Sequence, residues 1–296
     1  MSEKLVLAGP ASEELGKSIA SKLGLGVLPY SFRVFPDGES KFTVDAKLTG
    51  KSVYVVQSTY PPVDQHLFQL LLVSHHLSQE GAKVTAVIPY LAYARQDKAF
   101  LPGEVLSLGV VSHLLRSAGV RRVVTVDIHS AEGLSLFASP IYSVSAIPDL
   151  VRYVRSKLEK EPAVVIAPDF GASKRTEAFA TLYGSERLQV KKSRDRTTGE
   201  VTIEEPTLDV KGKTVLIVDD IISTGGTVEA SAKSVIRQGA ARVVAVCVHP
   251  LLVGEATAKL QKAGVSEIIA TNTIPGKFSV VDVTDAISSH LGTLDE

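Results

Sequence analysis

Residues 215–227 read Val-Leu-Ile-Val-Asp-Asp-Ile-Ile-Ser-Thr-Gly-Gly-Thr, joining two adjacent acids to a small, glycine-rich loop. The apolar run predicts a buried strand over 214–218, with Asp219 and Asp220 at its carboxyl end. Ser223, Thr224, Gly225, Gly226 and Thr227 then open a helix over 226–238. Small residues let backbone N–H groups close around a phosphate, and a helix N-terminus favours that charge. Carboxylates repel phosphate but accept hydrogen bonds from two vicinal sugar hydroxyls. The pattern describes a sugar phosphate with its ring at the acids and its phosphate in the loop. A helix cap at Ser223 or Thr224 beside solvated acids would use the same residue types without a ligand.

Other segments carry polar chemistry at the ends of apolar runs. Asp127-Ile128-His129 closes the run 122–127, and Asp169 follows the run 163–167. Lys191, Lys192, Arg194 and Arg196 crowd into six residues ahead of turn formers. Flanked by 188–190 and 201–203, they predict a hairpin with cations near its tip, which a solvated basic turn would also produce. Arg95 and Gln96 follow the strand 84–89 and the loop 90–94, and Arg95 offers a bidentate fork for phosphate. Phe35-Pro36-Asp37-Gly38-Glu39 reads as a Pro-x-Gly turn between two strands. Lys174 and Arg175, close behind Asp169, either help neutralise phosphate or decorate a helix.

These residues need a scaffold, and the chain supplies one twice. Apolar runs at 4–8, 52–57, 84–89, 122–127, 163–167, 214–218, 242–248 and 267–271 alternate with helical spacing at 64–80, 104–118, 226–238 and 254–263. Near-continuous apolar strands between helices describe parallel sheets covered on both faces, so the fold class is α/β. Residues 50–56 (Gly-Lys-Ser-Val-Tyr-Val-Val) resemble 212–218 (Gly-Lys-Thr-Val-Leu-Ile-Val). Two further pairs, 81–87 with 239–246 and 118–120 with 263–265, recur in the same order. A tandem duplication follows, with domains expected at 1–146 and 147–296. Ligands of such sheets bind beyond the carboxyl ends of strands, where the polar motifs fall.

Composition narrows the partners. The 296 residues hold 32 Lys+Arg and 32 Asp+Glu, so the net charge is zero, and a nucleic-acid binder's basic footprint is missing. Apolar runs such as 243–248 are strand-length and far too short for a bilayer. Cys247 stands alone, which excludes an internal disulfide and a cysteine-cluster metal site. With acids at Glu3, Glu13 and Glu14 and no apolar stretch near the start, a soluble cytoplasmic protein is expected.

The acid pair and its loop resemble the phosphoribosyl-diphosphate (PRPP) loop of type I phosphoribosyltransferases and ribose-phosphate diphosphokinases. Residues 35–39, 93–98, 127–130, 167–169 and 192–194 are similar to diphosphokinase signatures in the right order, and the chain resembles archaeal-type members. The resemblance, spanning about 5–285, implies two tandem phosphoribosyltransferase-like domains. It implies transfer of the diphosphoryl group of ATP to ribose 5-phosphate, giving PRPP and AMP, with Mg²⁺ as cofactor and a homo-oligomer of at least two chains. It assigns adenine recognition to Phe35, Asp37, Gly38 and Glu39, and ATP contacts to Arg95 and Gln96. Mg²⁺ falls to His129 and Asp169, and the transferring phosphates to Lys192 and Arg194. Residues 99–104 depart from many bacterial and animal members, which carry basic residues linked to phosphate and ADP regulation there. A non-catalytic regulatory homologue, the alternative, should lack part of the set His129, Asp169, Lys192 and Arg194, and all four are present.

Overall fold

The computed structural model describes residues 3–99, 101–158, 163–168, 173–185, 187–189, 192–194, 201–203 and 208–294, with backbone alone at 173–174, 187–189, 192–194 and 201–203. In the first half, β1 (Lys4–Ala8), α1 (Glu13–Leu23), β2 (Gly26–Val27), β3 (Ser31–Val34), β4 (Ser40–Thr43) and β5 (Ser52–Val56) come first. α2 (Val63–Gln79), β6 (Lys83–Ile88), α3 (Ser107–Ser117), β7 (Val120–Val126) and β8 (Ile141–Val144) complete it. Six strands form one parallel sheet in the order β2-β1-β5-β6-β7-β8. Strands β3 and β4 stand apart as an antiparallel hairpin around the Phe35–Glu39 turn, as the turn signal predicts.

The second half repeats the plan. α4 (Ile147–Leu158), β9 (Ala163–Ala167), α5 (Ser173–Tyr183), β10 (Arg187–Gln189), β11 (Lys192–Arg194) and β12 (Val201–Ile203) lead into β13 (Thr214–Ile222). Then come α6 (Gly226–Arg237), β14 (Arg242–Pro250), α7 (Ala256–Lys262), β15 (Glu267–Thr271), β16 (Ser279–Val281) and α8 (Thr284–Thr293). Its parallel sheet runs β10-β9-β13-β14-β15-β16, with the β11–β12 hairpin inserted where β3–β4 interrupts the first sheet. Two sheets of one strand order, each broken by a hairpin at one place, are what duplication leaves.

Burial explains why the apolar runs become strands. Val53, Val55, Val84, Ala86 and Ile88 are closed off beneath Leu70, Val73 and Leu77 of α2 and Leu108, Val111 and Leu115 of α3. In the second half Val215, Ile217, Val243 and Ala245 lie beneath Val228, Ala232 and Val235 of α6 and Leu260 of α7. Removing such surface from water is the main favourable term in both cores, at about 25 cal/mol per Å². Among the described residues, no helix is long and apolar enough to cross a membrane.

The structure departs from the sequence reading in three places. The chain divides into a first unit of 1–145, 273–275 and 283–296 and a second of 146–272 and 276–282, so 283–296 leaves the expected second domain. Helix α8 buries Ile287 and Leu291, and Lys22 of α1 meets Asp285 at 2.8 Å. Strand β13 continues four residues past 218, because the equally long β14 carries the ladder on to Ile222↔Pro250. The first strand of the basic hairpin is 192–194 rather than 188–190, since residues 187–189 pair with β9 at the sheet edge.

Candidate active site

In the second unit, Asp219 and Asp220 are 8% and 4% exposed, inside the last residues of β13 rather than beyond it. Asp219 accepts from the Asp220 backbone N–H at 2.9 Å through Oδ1. Asp220 Oδ2 lies 3.1 Å from Nη1 of Arg175 in the first turn of α5. The neighbouring Thr176 hydroxyl donates to the Val218 carbonyl at 3.1 Å, so that turn is fastened to β13 beside the acids. Sequence reasoning left Arg175 undecided. Its signal was position alone, directly behind Asp169.

After the acids, Ser223, Thr224, Gly225 and Gly226 lead into α6. The residue at the N-cap is Gly225, with φ of 76°, rather than Ser223 or Thr224. A left-handed backbone suits glycine, which brings no side chain to cap the first-turn N–H groups. The loop is fixed from the adjacent strand's end: Leu252 N–H donates to the Ile222 carbonyl at 2.9 Å and Val253 N–H to the Ser223 carbonyl at 3.1 Å.

In the first unit, the expected residues follow the carboxyl ends of strands. Tyr30, leading into β3, donates its hydroxyl to the Ala8 carbonyl at the end of β1, at 2.8 Å. The turn beyond β3 closes with Phe35 N–H on the Glu39 carbonyl at 2.7 Å and Glu39 N–H on Asp37 Oδ1 at 3.1 Å. Gly38 there has φ of 93°, which a side chain would strain. The exposed Arg95 and Gln96 sit in a strapped loop after β6. Thr59 Oγ1 accepts from Ala92 N–H at 2.8 Å, Ser107 donates to Gln96 Oε1 at 2.5 Å, and Tyr93 donates to Asp64. Asp64 and Ser107 as anchors were invisible in the sequence, because nothing local marks a polar residue in a helix's first turn as a tether.

His129 follows β7, next to β6, so its loop emerges on the same sheet edge as Arg95. A left-handed residue, Asp127 with φ of 36°, turns the chain out of the strand. Ile128 N–H then donates to Ser143 Oγ at 2.9 Å. Part-exposed Asp127 and His129 offer one hard oxygen donor and one imidazole. Such a set fits Mg²⁺, which keeps waters and phosphate oxygens as most of its ligands. Asp169 lies outside the described residues. Among the described residues, no three acidic, His or Cys groups come together as a metal cage. Lys192 and Arg194 lie on β11, opposite Ile203 and Val201, and their side chains lie outside the description.

A profile of the N-terminal domain of ribose phosphate pyrophosphokinase matches residues 4–119, and one of the phosphoribosyl transferase domain matches 143–284. The ribose-phosphate pyrophosphokinase of Sulfurisphaera tokodaii is 39% identical over 97% of this chain and 100% of its own. The chain belongs to the ribose-phosphate pyrophosphokinase family. That of Methanopyrus kandleri is 37% identical, covering 98% of this chain and 99% of its own. The crystal structure of phosphoribosylpyrophosphate synthetase from Mycobacterium smegmatis superposes with a TM-score of 0.88 at 29% identity, covering 99% of both chains. Membership thus extends across both units, including the half that lacks a glycine-rich loop.

Proposed function

We propose that this chain is a ribose-phosphate diphosphokinase, transferring the diphosphoryl group of ATP to the anomeric hydroxyl of ribose 5-phosphate. The carrying observation is the buried acid pair running directly into a loop capped by left-handed Gly225. Asp219 and Asp220 accept from the ribose hydroxyls, while Ser223, Thr224, Gly225, Gly226 and Thr227 close around the 5-phosphate. The anomeric oxygen attacks the β-phosphorus of ATP and loses its proton. The bond from that phosphorus to the α,β-bridging oxygen breaks, and AMP leaves with the electron pair. Phe35, Asp37, Gly38 and Glu39 take the adenine, and Arg95 and Gln96 take the nucleotide's phosphate side. Lys192 and Arg194 meet charge that grows on the transferring phosphates, where preorganised cations lower the barrier most.

His129 and Asp169 would hold Mg²⁺. When bound, Mg²⁺ neutralises polyphosphate charge. The reaction is placed in the cytoplasm, and the working unit is a homo-oligomer of at least two chains. Incubation with ATP, Mg²⁺ and ribose 5-phosphate, followed by nucleotide chromatography, tests the reading. AMP formed in step with PRPP supports it; ADP, or no turnover, overturns it.

A further inference from the structure

Register divides the β3–β4 hairpin into two unlike faces. Pairing of Phe32 with Phe42 and Val34 with Ser40 puts these four on one face; Arg33 with Lys41, then Phe35 with Glu39, line the other. The first face is apolar: the Phe32 and Phe42 rings lie 4.6 Å apart and those of Tyr30 and Phe42 5.7 Å apart. On the second face the guanidinium carbon of Arg33 stands 4.2 Å from the centroid of the Phe35 ring. Directly across the strand pair from Arg33 is Lys41, which is exposed as Arg33 is. Like charges opposite one another repel. Arg33 therefore turns along its strand toward the electron-rich ring face instead of across it.

We propose that Arg33 is a positioning residue for the nucleotide: it holds one face of Phe35, presents the opposite face to the base, and is kept there by Lys41. The assignment rests on reading Phe35 as the residue on which adenine stacks. A ring at the crown of a hairpin surrenders rotamer freedom when a base lands on it, and that loss weakens binding. A ring already held by a guanidinium has less to lose. The arrangement would show in ATP affinity and leave both ribose 5-phosphate and the chemical step alone.

Steady-state kinetics with ATP and ribose 5-phosphate varied separately test this. Arg33→Ala should raise KM for ATP about two- to fivefold, with kcat and KM for ribose 5-phosphate unchanged. Lys41→Glu places an acid opposite Arg33, draws the guanidinium across the strands, and should reproduce that rise. Lys41→Gln, which removes the opposing charge without adding attraction, should give a smaller rise than Lys41→Glu, and Lys41→Glu should add nothing once Arg33 is already alanine. Phe35→Ala is the control. If it raises KM for ATP while Arg33→Ala does not, the clamp is overturned and the stacking role stands. If Phe35→Ala is itself without effect, the reading of the turn fails and the clamp with it. Equal losses in kcat or in KM for ribose 5-phosphate would show a disturbed hairpin and overturn the assignment. A Lys41→Glu enzyme with wild-type KM for ATP would remove Lys41 from it.

Discussion

Lys192 and Arg194 occupy alternate positions of β11, with Ser193 between them. Lys192→Ala should lower turnover about 100- to 1,000-fold, the usual loss when one donor to transition-state charge is removed. Calorimetric affinity for ribose 5-phosphate should stay close to wild type; turnover within a few-fold of the parent would take Lys192 out of the mechanism. The acids behave differently. Asp219→Asn and Asp220→Asn should weaken ribose 5-phosphate binding far more than ATP binding, and equal losses in titration would mean the sugar lies elsewhere. Arg175 matters here because Asp220 is buried against it at 3.1 Å. Removing one member of such a pair costs about 3 kcal/mol. Arg175→Ala should therefore lower the urea midpoint, and Asp220→Asn in that background should raise it again by discharging the buried group. A double variant no more stable than Arg175→Ala would mean the ion pair carries no such weight.

At the scale of elements, the buried strands and the order of the motifs were readable, because β-branched runs covered on both faces leave a strong signature. What escaped was set by partners. Asp219 and Asp220 look unfit for a strand, yet β14 supplies the ladder that keeps them in one. Lys192, Ser193 and Arg194 form a strand because Val201, Thr202 and Ile203 lie opposite. Of the candidate site, the acids, the loop and the Phe35–Glu39 turn were legible from residue type and spacing, the adenine role of that turn coming from the family resemblance alone, whereas Arg175 and Ser107 act through contacts that no local pattern marks. The repeat shows what stands at the acids' positions in the half without the loop. Gln57 and Ser58 occupy the positions after β5 that Asp219 and Asp220 occupy on β13. Gln57 Oε1 accepts from Ala11 N–H at 3.0 Å, and Ser58 donates to the Thr273 carbonyl at 2.5 Å, so uncharged side chains bonded within the fold stand at the positions the acids fill in the other copy. Close by, in the first turn of α2, His66 Nδ1 lies 2.7 Å from the Tyr60 carbonyl, and burial lowers its pKa below the ordinary 6.5. The unfolded chain takes up that proton first as pH falls, so His66 favours the fold above pH 6.5 and ceases to below it. The melting temperature should fall between about pH 7.5 and 5.5, and His66→Asn should flatten that fall; an unchanged slope would clear His66 of the effect.

For the whole molecule, the Phe35–Glu39 turn, proposed to take adenine, belongs to the first unit and Lys192 to the second, and the proposal of a homo-oligomer asks which chain's turn serves which chain's lysine. Mixing settles it. Phe35→Ala and Lys192→Ala chains, each nearly inactive at low ATP, are refolded together so that subunits exchange. If the turn serves a neighbour, each mixed dimer has one intact site, and activity recovers toward about a quarter of wild type, since random pairing makes half the dimers mixed. No recovery, with mixing confirmed by mass spectrometry, would place the turn in its own chain's site.

Helix α8 sets a timetable for synthesis. It shields the first unit through Ile287, Leu291 and the Lys22–Asp285 contact, and Arg122 reaches the Leu294 carbonyl at 3.1 Å. A nascent chain that has passed residue 145 holds every strand of the first sheet but not this helix, which arrives only after the whole second unit has been translated. The ordinary sequence of events, in which the upstream domain finishes before the downstream one begins, is therefore closed to it. The ribosome must release residue 294 before the first half can be complete, and through that interval the face of α1 that awaits α8 is the surface a chaperone would find.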